Sequence, residues 1–183
     1  PAMPAALKIV NDLKKYNKDI IVALGGLHPS ALPKHTLEES GCDFIIDGEG
    51  VYTLNKLINY LKNKTSIKAV EGLWYKKNGE VTGNAAAQLI ENLDEVLNDY
   101  AWDLIPDLSN YRAHNMHCFQ SFEQSGKSDF LDARSPYAVV YTSLGCPFNC
   151  SFCCINALFK RNKIRYWSIE KVVYWIDKLA KNY

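Results

Sequence analysis

The sequence predicts a layered α/β fold, and three patterns carry that prediction. In the first 60 residues, segments with helical spacing alternate with short continuous apolar runs. Glycines close those runs, as at Gly25-Gly26 and Gly48 to Gly50. Near the C-terminus a further apolar run, a loop and an amphipathic segment form one more β-loop-α unit. The composition agrees with a folded chain. Of 183 residues, 48% are hydrophobic and 22% charged, which excludes disorder, collagen and coiled coil. That length is enough for one to two domains. The 21 Lys+Arg against 20 Asp+Glu give a net charge of +1, so no bulk attraction to nucleic acid or membrane is expected.

Each element follows from its residues. Leu7, Ile9, Val10 and Leu13 predict a helix. Ile20 to Leu24 is a continuous apolar run of the kind buried in a parallel sheet, and Gly25-Gly26 ends it. Pro33 to Ser40 reads as a short helix closed by Gly41. Phe44-Ile45-Ile46 predicts a second buried strand ending at Asp47-Gly48-Glu49-Gly50. Leu54, Leu57, Ile58 and Leu61 mark the inner face of the next helix. Two strands are too few for a stable sheet. The chain also starts on Pro1, so more of this domain is expected upstream. Asn78-Gly79, between Val70–Tyr75 and Val81-Thr82, is a hairpin signal. Residues 85–136 read as a connector with a short helix near Leu93 to Leu97. Tyr137 to Thr142 predicts a strand, and a cysteine-rich loop runs on to about Tyr166. Ser168 is placed to cap a helix with Glu170 in its first turn and an apolar stripe of Val172, Val173, Ile176 and Leu179. One such unit is not a domain, so a downstream part is expected as well.

Six cysteines occur, at 42, 118, 146, 150, 153 and 154. Four of them fall in one short loop. A disulfide framework would spread them through a small secreted domain. The N-terminus shows no secretion-signal pattern, and the cytoplasm is the expected compartment. The clustering therefore points to a metal or redox site. Cys146, Cys150 and Cys153 have the spacing C-x3-C-x2-C, and their thiolates suit an iron–sulfur cluster. Three ligands to a [4Fe-4S] cluster would leave one iron open for substrate. Zinc is the alternative. It would need a fourth ligand from Cys154 or from His114, His117 and Cys118, and adjacent cysteines rarely share one tetrahedral ion. Cys154 reads as a small buried residue, or else as an extra ligand.

The segment Gly145-Cys146-Pro147-Phe148-Asn149-Cys150-Ser151-Phe152-Cys153 resembles the C-x3-C-x-aromatic-C motif of the radical S-adenosylmethionine superfamily. It follows a predicted strand and precedes a helix, as in the first unit of that family's partial (β/α) barrel. The resemblance implies that the open iron chelates S-adenosylmethionine, that reductive cleavage yields a 5′-deoxyadenosyl radical, and that Phe152 lies near the adenine. Taken alone, Gly25-Gly26-Leu27-His28-Pro29-Ser30 and Asp47-Gly48-Glu49-Gly50 are weak signals, since a tight turn and a first-turn carboxylate would account for them. They do lie at the carboxyl ends of predicted parallel strands, where open α/β sheets bind ligands. Their order ahead of the cysteine loop is similar to the radical S-adenosylmethionine enzymes that carry an N-terminal cobalamin-binding domain. That likeness implies the C-terminal half of a flavodoxin-like B12-binding domain at 1–65, a hairpin and connector at 66–135, and the start of a radical domain at 136–183. It further implies that Gly25, Gly26, His28, Gly48, Glu49 and Gly50 line cobalamin.

The same likeness implies an enzyme. Methyl transfer to an unactivated carbon is the first expectation. Ring closure or oxidation without methyl transfer is the second, and a non-catalytic zinc or iron–sulfur module the third. The expected partners are a small-molecule substrate and an electron donor such as flavodoxin or ferredoxin. Nucleic acid is not expected, and no apolar run is long enough to span a bilayer. His114 and His117 share a face if their segment is helical, but a packed loop is the favoured reading and no catalytic acid or base is assigned there. The basic run Lys160, Arg161, Lys163 and Arg165 reads as a solvated face, or as a hold on an anion. Trp102, Tyr111, Phe119 and Trp167 read as core or interface residues.

Overall fold

The computed structural model describes residues 3–63, 65–105, 107–112, 135–160 and 162–183. The chain forms two compact units. One comprises residues 1–91 and 145–164, the other residues 92–144 and 165–183.

The first unit is built on a four-stranded mixed sheet in the order β1 (Ala23–Gly25), β2 (Phe44–Ile46), β3 (Leu73–Lys77) and β4 (Glu80–Gly83). β1 and β2 are parallel, with Leu24 opposite Ile45. The strand next to β2 is not a third parallel one. β3 runs antiparallel to it, with Ile45 opposite Trp74. The hairpin, expected in the connector, therefore extends this sheet. Its turn is as the sequence predicts: Asn78 and Gly79 both hold positive φ, at 52° and 85°, the backbone of a two-residue turn that matches strand twist.

Helices α1 (Met3–Tyr16), α2 (Leu27–Ala31), α3 (Pro33–Ser40) and α4 (Val51–Asn63) connect and flank the strands. Gly41 closes α3 in the left-handed conformation, as expected. Two helix faces differ from the expectation. In α1, Val10 is buried while Ile9 and Leu13 are exposed. In α4, Thr53 and Leu57 are buried while Leu54, Ile58 and Leu61 are exposed. Thr53 faces inward because its hydroxyl donates to the Glu71 carbonyl at 2.8 Å, so a polar residue occupies a core position that periodicity assigns to leucine. The second strand has the bounds expected, Phe44–Ile46, but the first apolar run makes only the strand Ala23–Gly25. Val22 is buried, but its neighbour Ile21, ahead of the strand, is exposed.

The core has two parts. Val10, Val22, Leu37, Cys42 and Ile45 pack together, and so do Ile46, Leu57, Val70, Leu73 and Tyr75. The first unit also contains the cysteine loop and the short helix α5 (Ile155–Phe159), which packs on α2.

The second unit has a tryptophan core. Tyr100 stacks on Trp102, and Trp175 meets Tyr100 and Trp167 edge-on. Trp102 and Trp167 are buried as expected, whereas Tyr111 is exposed. Helix α6 (Ile169–Asn182) begins at Ser168, whose Oγ accepts from the Lys171 amide. Its inner face centres on the fully buried Trp175, and Val173 and Ile176 of the expected stripe lie outside. Near Leu93 the expected helix is a single 3₁₀ turn, Leu93–Glu95. The expected strand 137–142 makes no ladder. The strand there is β5 (Ser143–Gly145), three residues nearer the cysteines, and it pairs with β6 (Ile164–Tyr166), which lies within the segment read as loop.

Candidate cofactor site

The site is assembled at the carboxyl ends of β1 and β2 and in the cysteine loop. After β1, Gly26 takes φ 104°. Nothing lies within 4 Å of the place a side chain would occupy there, so the backbone is open to a ligand on that side. His28 and Ser30 follow in α2. Ser30 is buried, and its Oγ accepts from the Gly48 amide at 3.0 Å. That bond joins the two glycine loops, although Gly25 and His28 line one cavity and Gly48, Glu49 and Gly50 another.

Glu49 does not point only outward. Its Oε2 accepts from the Ile90 amide at 2.8 Å and so ties down residues 86–90. Asp47 is 8% exposed, and its Oδ2 receives the Lys160 ammonium at 2.5 Å. A cavity of about 200 Å³ is lined by Asp47, Gly48, Glu49, Gly50, Phe159 and Lys160, among others. An apolar cavity of about 540 Å³ lies at the other loop, against Leu24, Gly25, Leu27, His28, Pro29 and Cys154.

The cysteine loop leaves β5 through Gly145, which has φ 99°. A side chain at this position would collide with the Lys163 carbonyl oxygen, so only glycine permits β6 to return so close to the loop's start. A turn in which the Cys153 amide donates to the Cys150 carbonyl at 3.1 Å follows. Asn156 Nδ2 donates to Asn149 Oδ1 at 2.7 Å and ties the loop to α5. Cys146 is half-buried, and Cys150, Cys153 and Cys154 are exposed free thiols. Phe152 is 91% exposed. Among the described residues, no three His, Cys, Asp or Glu side chains converge on one ion position. The donor set is nonetheless three thiols on one short, accessible turn, which suits a multi-iron cluster spread over several ångströms.

The basic run is in part the solvated face expected, since Lys160 and Lys163 are exposed. Lys160 is paired with Asp47, Lys163 with Glu91 at 2.7 Å, and Arg165 is buried. Arg161, together with His114, His117, Cys118 and Phe119, lies outside the described residues. Sequence reasoning placed Ser30 and Asp47 within the two loops without giving them a role, and did not pair Lys160 with Asp47. The available signal was a charged Asp47 directly after the buried run Phe44-Ile45-Ile46.

Residues 1–58 match the family model described as the B12 binding domain. The whole chain is 32% identical to an uncharacterized methyltransferase of Pyrococcus horikoshii. Over 98% of its length it superposes on the cobalamin-dependent S-adenosylmethionine radical enzyme OxsB, with a TM-score of 0.67 and 23% identity. Residues 1–58 thus carry the B12-binding-domain signature, and the whole chain is similar to proteins of the cobalamin-dependent radical S-adenosylmethionine kind. The chain is also 27% identical, over 83% of its length, to the anaerobic magnesium-protoporphyrin IX monomethyl ester cyclase of Synechocystis. The chain spans 35% of the Pyrococcus protein, 26% of the cyclase and 22% of OxsB. The family's flavodoxin-like α/β layer corresponds to the first unit's sheet and helices.

Proposed function

We propose that the protein is a radical S-adenosylmethionine enzyme that holds a [4Fe-4S] cluster on Cys146, Cys150 and Cys153. In this reading, cobalamin lies against the loops of Gly25, Gly26, His28, Gly48, Glu49 and Gly50. The observation that carries it is the joining, within one compact unit, of a three-thiol loop to two glycine loops at the carboxyl ends of parallel strands. Residues 1–65 then serve cobalamin, 66–135 connect, and 136–183 serve the cluster and S-adenosylmethionine. The cluster, S-adenosylmethionine and cobalamin would supply a carbon-centred radical and a methyl group for a small-molecule substrate, with electrons from a flavodoxin or ferredoxin. The cytoplasm suits that chemistry, because it keeps thiols reduced.

The chain's own residues bind and orient. Gly145 lets the loop double back. The Asn149–Asn156 bond holds its second half, and Ser30 fixes the two glycine loops against each other. In this reading Phe152, exposed beside Cys153, covers the adenine of S-adenosylmethionine.

A second reading, radical ring closure without methyl transfer, is favoured by the cyclase among the relatives. One experiment tests the shared core. The full-length protein, reconstituted without oxygen and reduced with dithionite, is expected to convert S-adenosylmethionine to 5′-deoxyadenosine or to transfer its methyl group. Cys153→Ala is expected to lose the cluster's absorbance and all turnover. Full activity in Cys153→Ala would refute the assignment.

A further inference from the structure

Helix α5 is held at both ends by the glycine loops. Its N-cap, Cys154, lines the same apolar cavity as Gly25 and His28. Its C-cap, Lys160, reaches Asp47. Lys160 holds φ 53°, and among the described residues Asn78 is the other non-glycine with positive φ. Glycine is the unstrained choice at such a helix end, so a lysine there trades backbone comfort for its side chain. Nζ lies 2.5 Å from Asp47 Oδ2. Asp47 Oδ1 is buried, with no hydrogen-bond partner among the described residues. Lys160 therefore supplies the compensation that a buried carboxylate requires. The Asp47 amide donates to the Gly72 carbonyl at 2.8 Å, which fixes the acidic end of the pair to the sheet.

We propose that Lys160 and Asp47 are positioning residues that couple the two cofactor sites. The pair seats the exit of the cysteine loop on the Asp47–Gly50 loop, so a cluster on Cys146, Cys150 and Cys153 orders the rim that receives cobalamin. Cobalamin, by reciprocity, orders the cysteine loop. This rests on the function proposed above.

The test is a titration of the full-length protein with hydroxocobalamin, followed by absorbance, with and without the reconstituted cluster. In the unaltered protein the cluster is expected to tighten cobalamin binding by about fivefold or more, the lower end of ordinary coupling. In Lys160→Gly, which relieves the backbone and removes the ammonium, the ratio of affinities with and without the cluster is expected to fall to about one, whatever the change in the cluster-free affinity itself. Lys160→Arg is expected to restore coupling, and Asp47→Asn to lower it. A ratio of one in the unaltered protein overturns the proposal without need of any variant. So does a ratio that survives in Lys160→Gly. If the unaltered protein takes up no iron or no cobalamin, the functional reading itself fails, and the coupling falls with it.

Discussion

Two kinds of cysteine differ in what surrounds their sulfur. Cys42 is 4% exposed, bonded to Ser40 and packed with Leu37 and Ile45. Burial pushes its thiol above the ordinary range, and a thiol kept protonated is a poor nucleophile. Cys150, Cys153 and Cys154 are exposed. Maleimide labelling of the cluster-free protein, read by mass spectrometry, should therefore modify those three and spare Cys42 until denaturant is added. After anaerobic reconstitution, Cys146, Cys150 and Cys153 should be protected while Cys154 still labels. Protection of Cys154 would make it a fourth ligand. The spacing C-x3-C-x2-C was legible in the sequence because ligand spacing is local. The neighbours of Lys160 were not, because Asp47 lies far away along the chain. A basic run looks the same on paper whether it is solvated or paired.

At the scale of elements, glycine and capping signals transferred directly. Gly41, Asn78-Gly79 and Ser168 stand where turn and cap chemistry requires. Helix faces were harder to read. In α6, apolar spacing put Val173 and Ile176 on the inner stripe, yet Trp175 is buried and they are exposed. Indole area outweighed periodicity, because the rings of Tyr100 and Trp167 meet Trp175 edge-on. Trp175→Ala should thus cost about 3–5 kcal/mol by urea denaturation. Ile176→Ala should cost about 0.5 kcal/mol or less. Equal losses would mean that the other face is packed. The same unit carries a pH dependence. Asp94, held by Ser168, and Asp99, held by Lys178, both have carboxyl groups below the usual range. Their contribution is present above the unfolded carboxylate value and is lost as pH falls through the lowered folded values. Acid titration of tryptophan fluorescence should show loosening of this unit below about pH 4, and Asp94→Asn with Asp99→Asn should flatten that response. An unchanged acid profile in the double variant would count against these contacts.

At the scale of the molecule, the α/β class was legible because alternating apolar runs and glycine turns are repeated local signals. The sheet's membership was not. Nothing in Leu73–Lys77 announces that it will lie antiparallel beside β2, since strand partners are chosen by long-range packing. The same long-range packing brings the cysteine loop's helix onto α2 and puts the two sets of candidate cofactor residues in one unit. The central claim is that this unit serves a three-cysteine iron–sulfur cluster beside cobalamin. Its most direct test is elemental analysis for iron, cobalt and zinc on the full-length protein, purified and reconstituted without oxygen with iron, sulfide and hydroxocobalamin. The account predicts about four irons per chain together with cobalt near one. About one zinc per chain, with neither iron nor cobalt retained, would contradict it.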